Sequence, residues 1–187
     1  MSSSDNKEIE KKFQVLGNRW FYGSMNTQEI FQAYFQDSSD GQEKRIRILP
    51  KETRAIVTQK KDIGVIDGVL EREEIEYDID FQIGLRTFLD CPVFIHKVRH
   101  FAPFHDFTFE IDKYVNLVMP LTTVEVEMKK EQISFFNSLP LPDWIGEDWS
   151  LNKEYSNYNL LSKVNKELPV PSYLTNLVND KPGLSLR

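Results

Sequence analysis

One cysteine, Cys91, among 187 residues excludes an internal disulfide, and three histidines offer little to a zinc ion. His96 and His100 separate along a strand and His105 has no partner at a ligand spacing, so all three read as structural or surface groups. Basic excess is also missing. A net charge of -6 and a pI near 5.2 exclude a general binder of nucleic-acid polymers, so any phosphate recognition has to be local. No apolar run has the length of a membrane-spanning helix, which argues against an integral membrane protein. Residues 1–6 are too short and polar to begin a signal peptide, and together with the lone cysteine they point to a cytoplasmic protein. There is no Gly-rich phosphate loop, no Ser-His-Asp order and no context for a nucleophilic cysteine.

What the chain has instead is alternation of an unusual kind. Residues two apart on a strand share a face, so Glu8, Glu10 and Lys12 project together while Ile9 and Phe13 project the other way. The spacing returns at Arg45 and Arg47, at Thr58 and Lys60, and at Arg72, Glu74 and Glu76. It recurs at Lys97 and Arg99, at Asp112, and at Glu125 and Glu127. β-Branched and aromatic bursts between turn signals predict eight strands, over 7–16, 28–36, 43–49, 55–60, 70–79, 93–101, 107–114 and 121–128. Residues 80–89 read as a short helix capped by Asp80, and 152–164 as a second helix. The stretch 169–187 is expected to strap the surface or to be partly disordered, and 62–68 to be a mobile loop. Trp20, Trp144 and Trp149 are read as packing groups over the sheet rather than nucleobase platforms.

Composition, 40% hydrophobic and 28% charged, suits a soluble protein with one core, and the whole chain, 1–187, is expected to be a single domain. Its mainly β fold has to hide strands whose second face is charged. Closing them into an antiparallel barrel removes the edges and turns the charges into the lumen, where burial costs several kcal/mol per ion unless each is paired or hydrated. Such an interior faces a highly charged ligand.

These residues resemble the CYTH domain of the triphosphate tunnel metalloenzymes, from Glu8 to about Leu160. The opening E-x-E-x-K is the family's hallmark. Gln32-Ala33-Tyr34, Arg45-x-Arg47, Thr58-x-Lys60, Arg72-x-Glu74-x-Glu76, Lys97-x-Arg99, Glu110-Ile111-Asp112 and Glu125-x-Glu127 follow in the family's order. The resemblance implies an eight-stranded antiparallel tunnel with helices outside, a core over about 7–160 and a tail over 165–187. Where relatives often carry an arginine before Tyr-x-Asn, this chain has Glu154 before Tyr155-Ser156-Asn157.

Charge types assign expected roles. Glu8, Glu10, Glu125 and Glu127, on strands that would be neighbours in a closed barrel, are candidate ligands for Mg2+ or Mn2+, with Asp112 a fifth. Lys12, Arg45, Arg47, Lys60, Arg72, Lys97 and Arg99 are the candidate phosphate binders. Asp112, Glu74 and Glu76 are candidates for orienting the attacking water, and Lys12 is placed in the catalytic set with Tyr34, which enters by resemblance. The expected activity is metal-dependent hydrolysis of the terminal phosphate of a small triphosphate, with inorganic triphosphate favoured. Class IV adenylate cyclase and thiamine triphosphatase activities are alternatives within the family, and a non-catalytic polyphosphate or nucleotide sensor is an alternative outside it. A homodimer is compatible with all of these.

Overall fold

Each alternating stretch forms a strand, and together they close on themselves. The computed structural model describes residues 7–35 and 42–179. The start at 1–6, the end of the second expected strand at residue 36, the expected turn over 37–41 and the end of the tail at 180–187 lie outside the described residues. The strands are β1 (Lys7–Val15), β2 (Asn26–Tyr34), β3 (Glu43–Leu49), β4 (Arg54–Ile66), β5 (Val69–Ile79), β6 (Phe94–Phe104), β7 (Phe107–Tyr114), β8 (Thr122–Glu127) and β9 (Ile145–Asp148). Their order is β5-β4-β3-β2-β6-β7-β8-β1-β9, all antiparallel. A further pairing of β1 with β5, Lys7↔Glu73 through Glu10↔Leu70, shuts the first eight into a barrel.

Register puts the charged residues on one face all the way round. Glu8 lies opposite Arg72, Glu10 opposite Glu127, and Lys12 opposite Glu125. Arg45 lies opposite both Tyr34 and Thr58, Lys60 opposite Glu74, and Arg99 opposite Asp112. That face is the lumen. The apolar face is covered from outside. Helix α1 (Phe81–Leu89) buries Leu85 and Phe88 against Phe31, Ile46, Ile48 and Ala55. Helix α2 (Ile133–Ser138) buries Ile133 and Phe136 among Ile9, Phe13, Phe109 and Val124. Asp80 caps α1, its side chain accepting from the Gln82 and Ile83 amides, as the sequence suggests.

Two expectations are corrected, and a third gains detail. Residues 62–66 are not loop: β4 runs on to Ile66, and the reversal falls at Asp67 and Gly68, whose φ of 50° and 77° suit a tight hairpin turn with glycine second. The second expected helix, 152–164, breaks into a 3-10 turn at Lys153–Tyr155, α3 (Asn157–Leu160) and another 3-10 turn at Leu161–Lys163. Asn152 and Ser156 stop it from being continuous, because their side chains accept from the Glu154 and Asn159 amides and restart the chain at each. In the expected strap, 172–179 forms α4 (Ser172–Asn179), with Leu174 buried against the α1 cluster. No helix among the described residues is long and apolar enough to cross a membrane.

Candidate functional site

The lumen opens into a cavity of about 850 Å³, lined by Glu8, Glu10, Lys12, Arg45, Arg47, Lys60, Arg72, Arg99, Glu125 and Glu127 from the barrel. Trp149, Ser150 and the segment around Lys153 and Tyr158 line it from the C-terminal side. The charges sort into three groups.

The first is a carboxylate cluster. Ligand oxygens of Glu8, Glu10 and Glu127 all lie within 4.8 Å of one another. Such crowding disfavours ionisation: burial and then the Glu110, Glu8 and Glu10 charges push the Glu127 carboxyl up to about 7. Glu10 is raised as well, by burial first and Glu8 second. Hard oxygen donors converging with residual negative charge are what Mg2+ or Mn2+ prefers, so these three side chains fit a divalent ion.

The second group is a fully compensated floor. Arg99 donates to both oxygens of Asp112, at 2.7 and 2.8 Å, and to Glu125 at 2.9 Å, and it also pairs with Glu110. Lys12 donates to Glu125 at 2.9 Å, and Lys97, wholly buried, pairs with Asp112. Burial opposes ionisation of Glu125 and Asp112, but the surrounding Lys12, Lys97 and Arg99 win and hold both below the usual carboxylate range. Lys97 is pulled down to about 8 by burial, with Arg99 and Arg47 adding repulsion and Asp112 opposing. Glu125 and Asp112, expected among the metal ligands, therefore spend their oxygens on cations and stand outside the converging cluster.

The third group is a looser wall. Lys60 donates to both Glu8 oxygens at 2.6 Å and lies 3.4 Å from Glu74. Arg72 pairs with Glu10 and lies 3.9 Å from Glu8. Arg45 lies 3.7 Å from Glu74, and Arg47 lies 3.9 Å from Glu76, which itself accepts from Thr58 at 3.1 Å. Burial and then the Arg45 and Arg99 charges lower Arg47 to about 10. The Nε atoms of Arg45, Arg47 and Arg72 are buried without a hydrogen-bond partner, so this wall has donors to spare for an anion. Tyr34 is buried beside it; its hydroxyl accepts from Gln32, and burial, with Glu43 adding repulsion, keeps the phenol protonated far above neutrality.

Some of this was not read from the sequence. Glu43, two residues before Arg45, lines the cavity, and Tyr114, two after Asp112, shares the lumen face; period two alone would have found both. No such signal exists for the C-terminal segment. Trp149 stacks on Tyr155 at 3.6 Å, Tyr114 donates to Asn157 at 2.7 Å, and Tyr158 meets Tyr34 edge-on at 5.4 Å, placements that depend on how the chain returns to the barrel. Glu154 pairs with Lys163 at 2.7 Å and is not among the residues that line the cavity.

No protein-family model matches the chain. An inorganic triphosphatase of Acetivibrio thermocellus is 30% identical over 161 residues, which cover 83% of this chain and 93% of that protein. A solved inorganic triphosphatase is 26% identical with a TM-score of 0.57, over 88% of this chain and 96% of that one. A putative adenylyl cyclase from Hippeastrum with a dominant triphosphatase activity shares the fold, at 16% identity and a TM-score of 0.54, over 70% of this chain and 84% of that one.

Proposed function

Because the chain belongs to the CYTH family of triphosphate tunnel metalloenzymes, we propose that it is a metal-dependent triphosphatase that hydrolyses the terminal phosphate of inorganic triphosphate. The observation that carries this reading is the meeting, in one cavity, of a carboxylate cluster with a wall of under-used guanidinium donors. An anion binder alone gains nothing from acids beside its ligand.

Glu8, Glu10 and Glu127 would hold Mg2+ or Mn2+, which when bound neutralises phosphate charge and polarises the terminal phosphoryl group. Arg45, Arg47, Lys60 and Arg72 bind the non-bridging oxygens, the arginines through paired N–H groups and Lys60 as a point charge. The positive field of Arg45 and Arg47 is in place before the substrate arrives, so it stabilises the charge that spreads over the phosphoryl oxygens without reorganisation. Lys12, Lys97 and Arg99, paired with Glu125, Asp112 and Glu110, keep that field rigid from below. Tyr34, protonated at neutral pH, serves as a donor and not as a base. Among the candidates for orienting water, Asp112 has its lone pairs engaged, whereas Glu74 has only cations at 3.4 and 3.7 Å and Glu76 only Thr58 at 3.1 Å and Arg47 at 3.9 Å, so both retain acceptor capacity.

The test is one series of incubations with triphosphate, ATP or thiamine triphosphate, with Mg2+ or Mn2+, assayed for phosphate, pyrophosphate and cyclic AMP. Phosphate release fastest from inorganic triphosphate, and abolished by a chelator that leaves the far-UV spectrum unchanged, is the expected result. Faster formation of cyclic AMP and pyrophosphate from ATP would replace this reading with a cyclase.

A further inference from the structure

Lys60 and Arg72 each belong to two sites at once. They line the cavity as part of the proposed phosphate wall, yet their charged ends rest on the carboxylates of the proposed metal site. Lys60 straddles Glu8, with Nζ at 2.6 Å from both oxygens, and Arg72 reaches Glu10 through Nη2 while its Nε lies 3.9 Å from Glu8. The register explains the reach. Arg72 lies directly across β1–β5 from Glu8, and Lys60 lies opposite Glu74, on the β4 strand next to β5. Glu127 makes no ion pair among the described residues.

Two features distinguish this from an ordinary structural ion-pair network. Arg72 is incompletely used: its Nε is buried with no hydrogen-bond partner, a cost that a permanent resting place would remove. The charges also match an exchange. Two monovalent side chains leaving the cluster and one divalent ion entering it keep its net charge unchanged, and free two positive groups beside the place where phosphate oxygens bind.

We propose that Lys60 and Arg72 are internal counter-ions of the metal site, displaced from Glu8 and Glu10 by the divalent cation and thereby handed to the triphosphate, so that metal and triphosphate bind cooperatively. The inference rests on the triphosphatase reading of the tunnel and adds its coupling. Each ligand does part of the other's work: metal releases the phosphate-binding groups, and phosphate removes the competitors from the metal ligands. By linkage the two enhancements are equal, on the order of tenfold or more.

The experiment measures binding without turnover. Binding of Mn2+ alone is followed by the paramagnetic resonance of the free ion, and binding of the non-hydrolysable imidotriphosphate by calorimetry, each with and without the other ligand. In the wild-type chain Mn2+ tightens imidotriphosphate by the same factor as imidotriphosphate tightens Mn2+. Arg72→Met removes a competitor, so Mn2+ alone binds about tenfold tighter while imidotriphosphate binds more weakly, and the mutual enhancement shrinks. Lys60→Met repeats the pattern independently should the first variant fold poorly. Independent binding of the two ligands to the wild-type chain, or Mn2+ binding no tighter in a folded variant, overturns the exchange. Hydrolysis of triphosphate by the wild-type chain is scored separately, so its absence removes the activity while leaving a measured coupling intact.

Discussion

Glu125 and Glu127 stand two residues apart on the same face of β8 and have opposite surroundings. Lys12 and Arg99 lie within 2.9 Å of Glu125 and hold it ionised, whereas Glu127 faces Glu8, Glu10 and Glu110 and takes up a proton near pH 7. Parity showed that both face inward. It did not show which neighbour each would meet, because that depends on the stagger of β1 against β8. Arg47 illustrates the same point among the cations. Its ion pair with Glu76 is 3.9 Å long and its charge is disfavoured by burial and by Arg45, so it contributes little to the resting fold and, on the proposed function, is free to meet an incoming anion. Arg47→Ala is therefore expected to lower kcat/KM for triphosphate about a hundredfold, to weaken inhibition by orthophosphate far less, and to leave the melting temperature unchanged or raised. Steady-state kinetics and a thermal melt check this, and equal losses for both ligands would place Arg47 outside the phosphate site.

At the scale of elements, the strands were the legible part, since a period of two is printed directly in the residue order. The structure keeps all eight, with ends shifted by a few residues and β4 longer than expected. The short β9 was not foreseen. It pairs Val15 with Ile145 and Phe13 with Asp148, adding to β1 a strand that has too few residues to show a period. Helix α1 was legible from its spacing and cap, but its fit to the barrel was not. A Cβ on Gly84 would lie 2.3 Å from that of Ala55 and 3.2 Å from the Ile79 side chain, so α1 can lie this close to β4 only with glycine there. Gly84→Ala is expected to destabilise the fold by about 1–3 kcal/mol through overpacking, read as a lower denaturation midpoint. Metal binding should be unaffected, because α1 lies on the outside of the barrel. An unchanged midpoint would mean that α1 shifts outward freely.

For the whole molecule, stability and function meet in the charge of the lumen. Glu10 and Glu127 keep their protons to higher pH in the folded, metal-free barrel than in the unfolded chain. Between the ordinary carboxylate range and about pH 7 the unfolded state thus binds fewer protons, and the stability of the metal-free protein falls as pH rises through that window. On the proposed function a divalent ion takes the ionised cluster, so its stabilisation is expected to grow over the same interval. Glu125 and Asp112 act in the opposite sense: their ion pairs stabilise the fold above the ordinary carboxylate range, and that contribution is lost as pH falls through their depressed values. Melts at pH 5 and pH 8, with chelator and with Mg2+, should show a metal-induced rise in melting temperature that is small at pH 5 and large at pH 8. A rise of equal size at both would remove Glu127 from the metal site.

The residue order by itself determined the alternation, the inward-facing charges, the barrel that must enclose them and the family motif, because each follows from local spacing and from the cost of exposed sheet edges. Tertiary structure alone decided how the acids divide. The pairing of β1 with β8 brings Glu127 to Glu8 and Glu10, and the packing of β1, β6, β7 and β8 surrounds Glu125 and Asp112 with cations. Closure through β1 and β5 lets Lys60 and Arg72 reach Glu8 and Glu10, and the segment after β9 returns to line the cavity. The physical reason is that the sign of a residue is local, whereas its electrostatic partner is set by strand stagger and by which distant strands become neighbours.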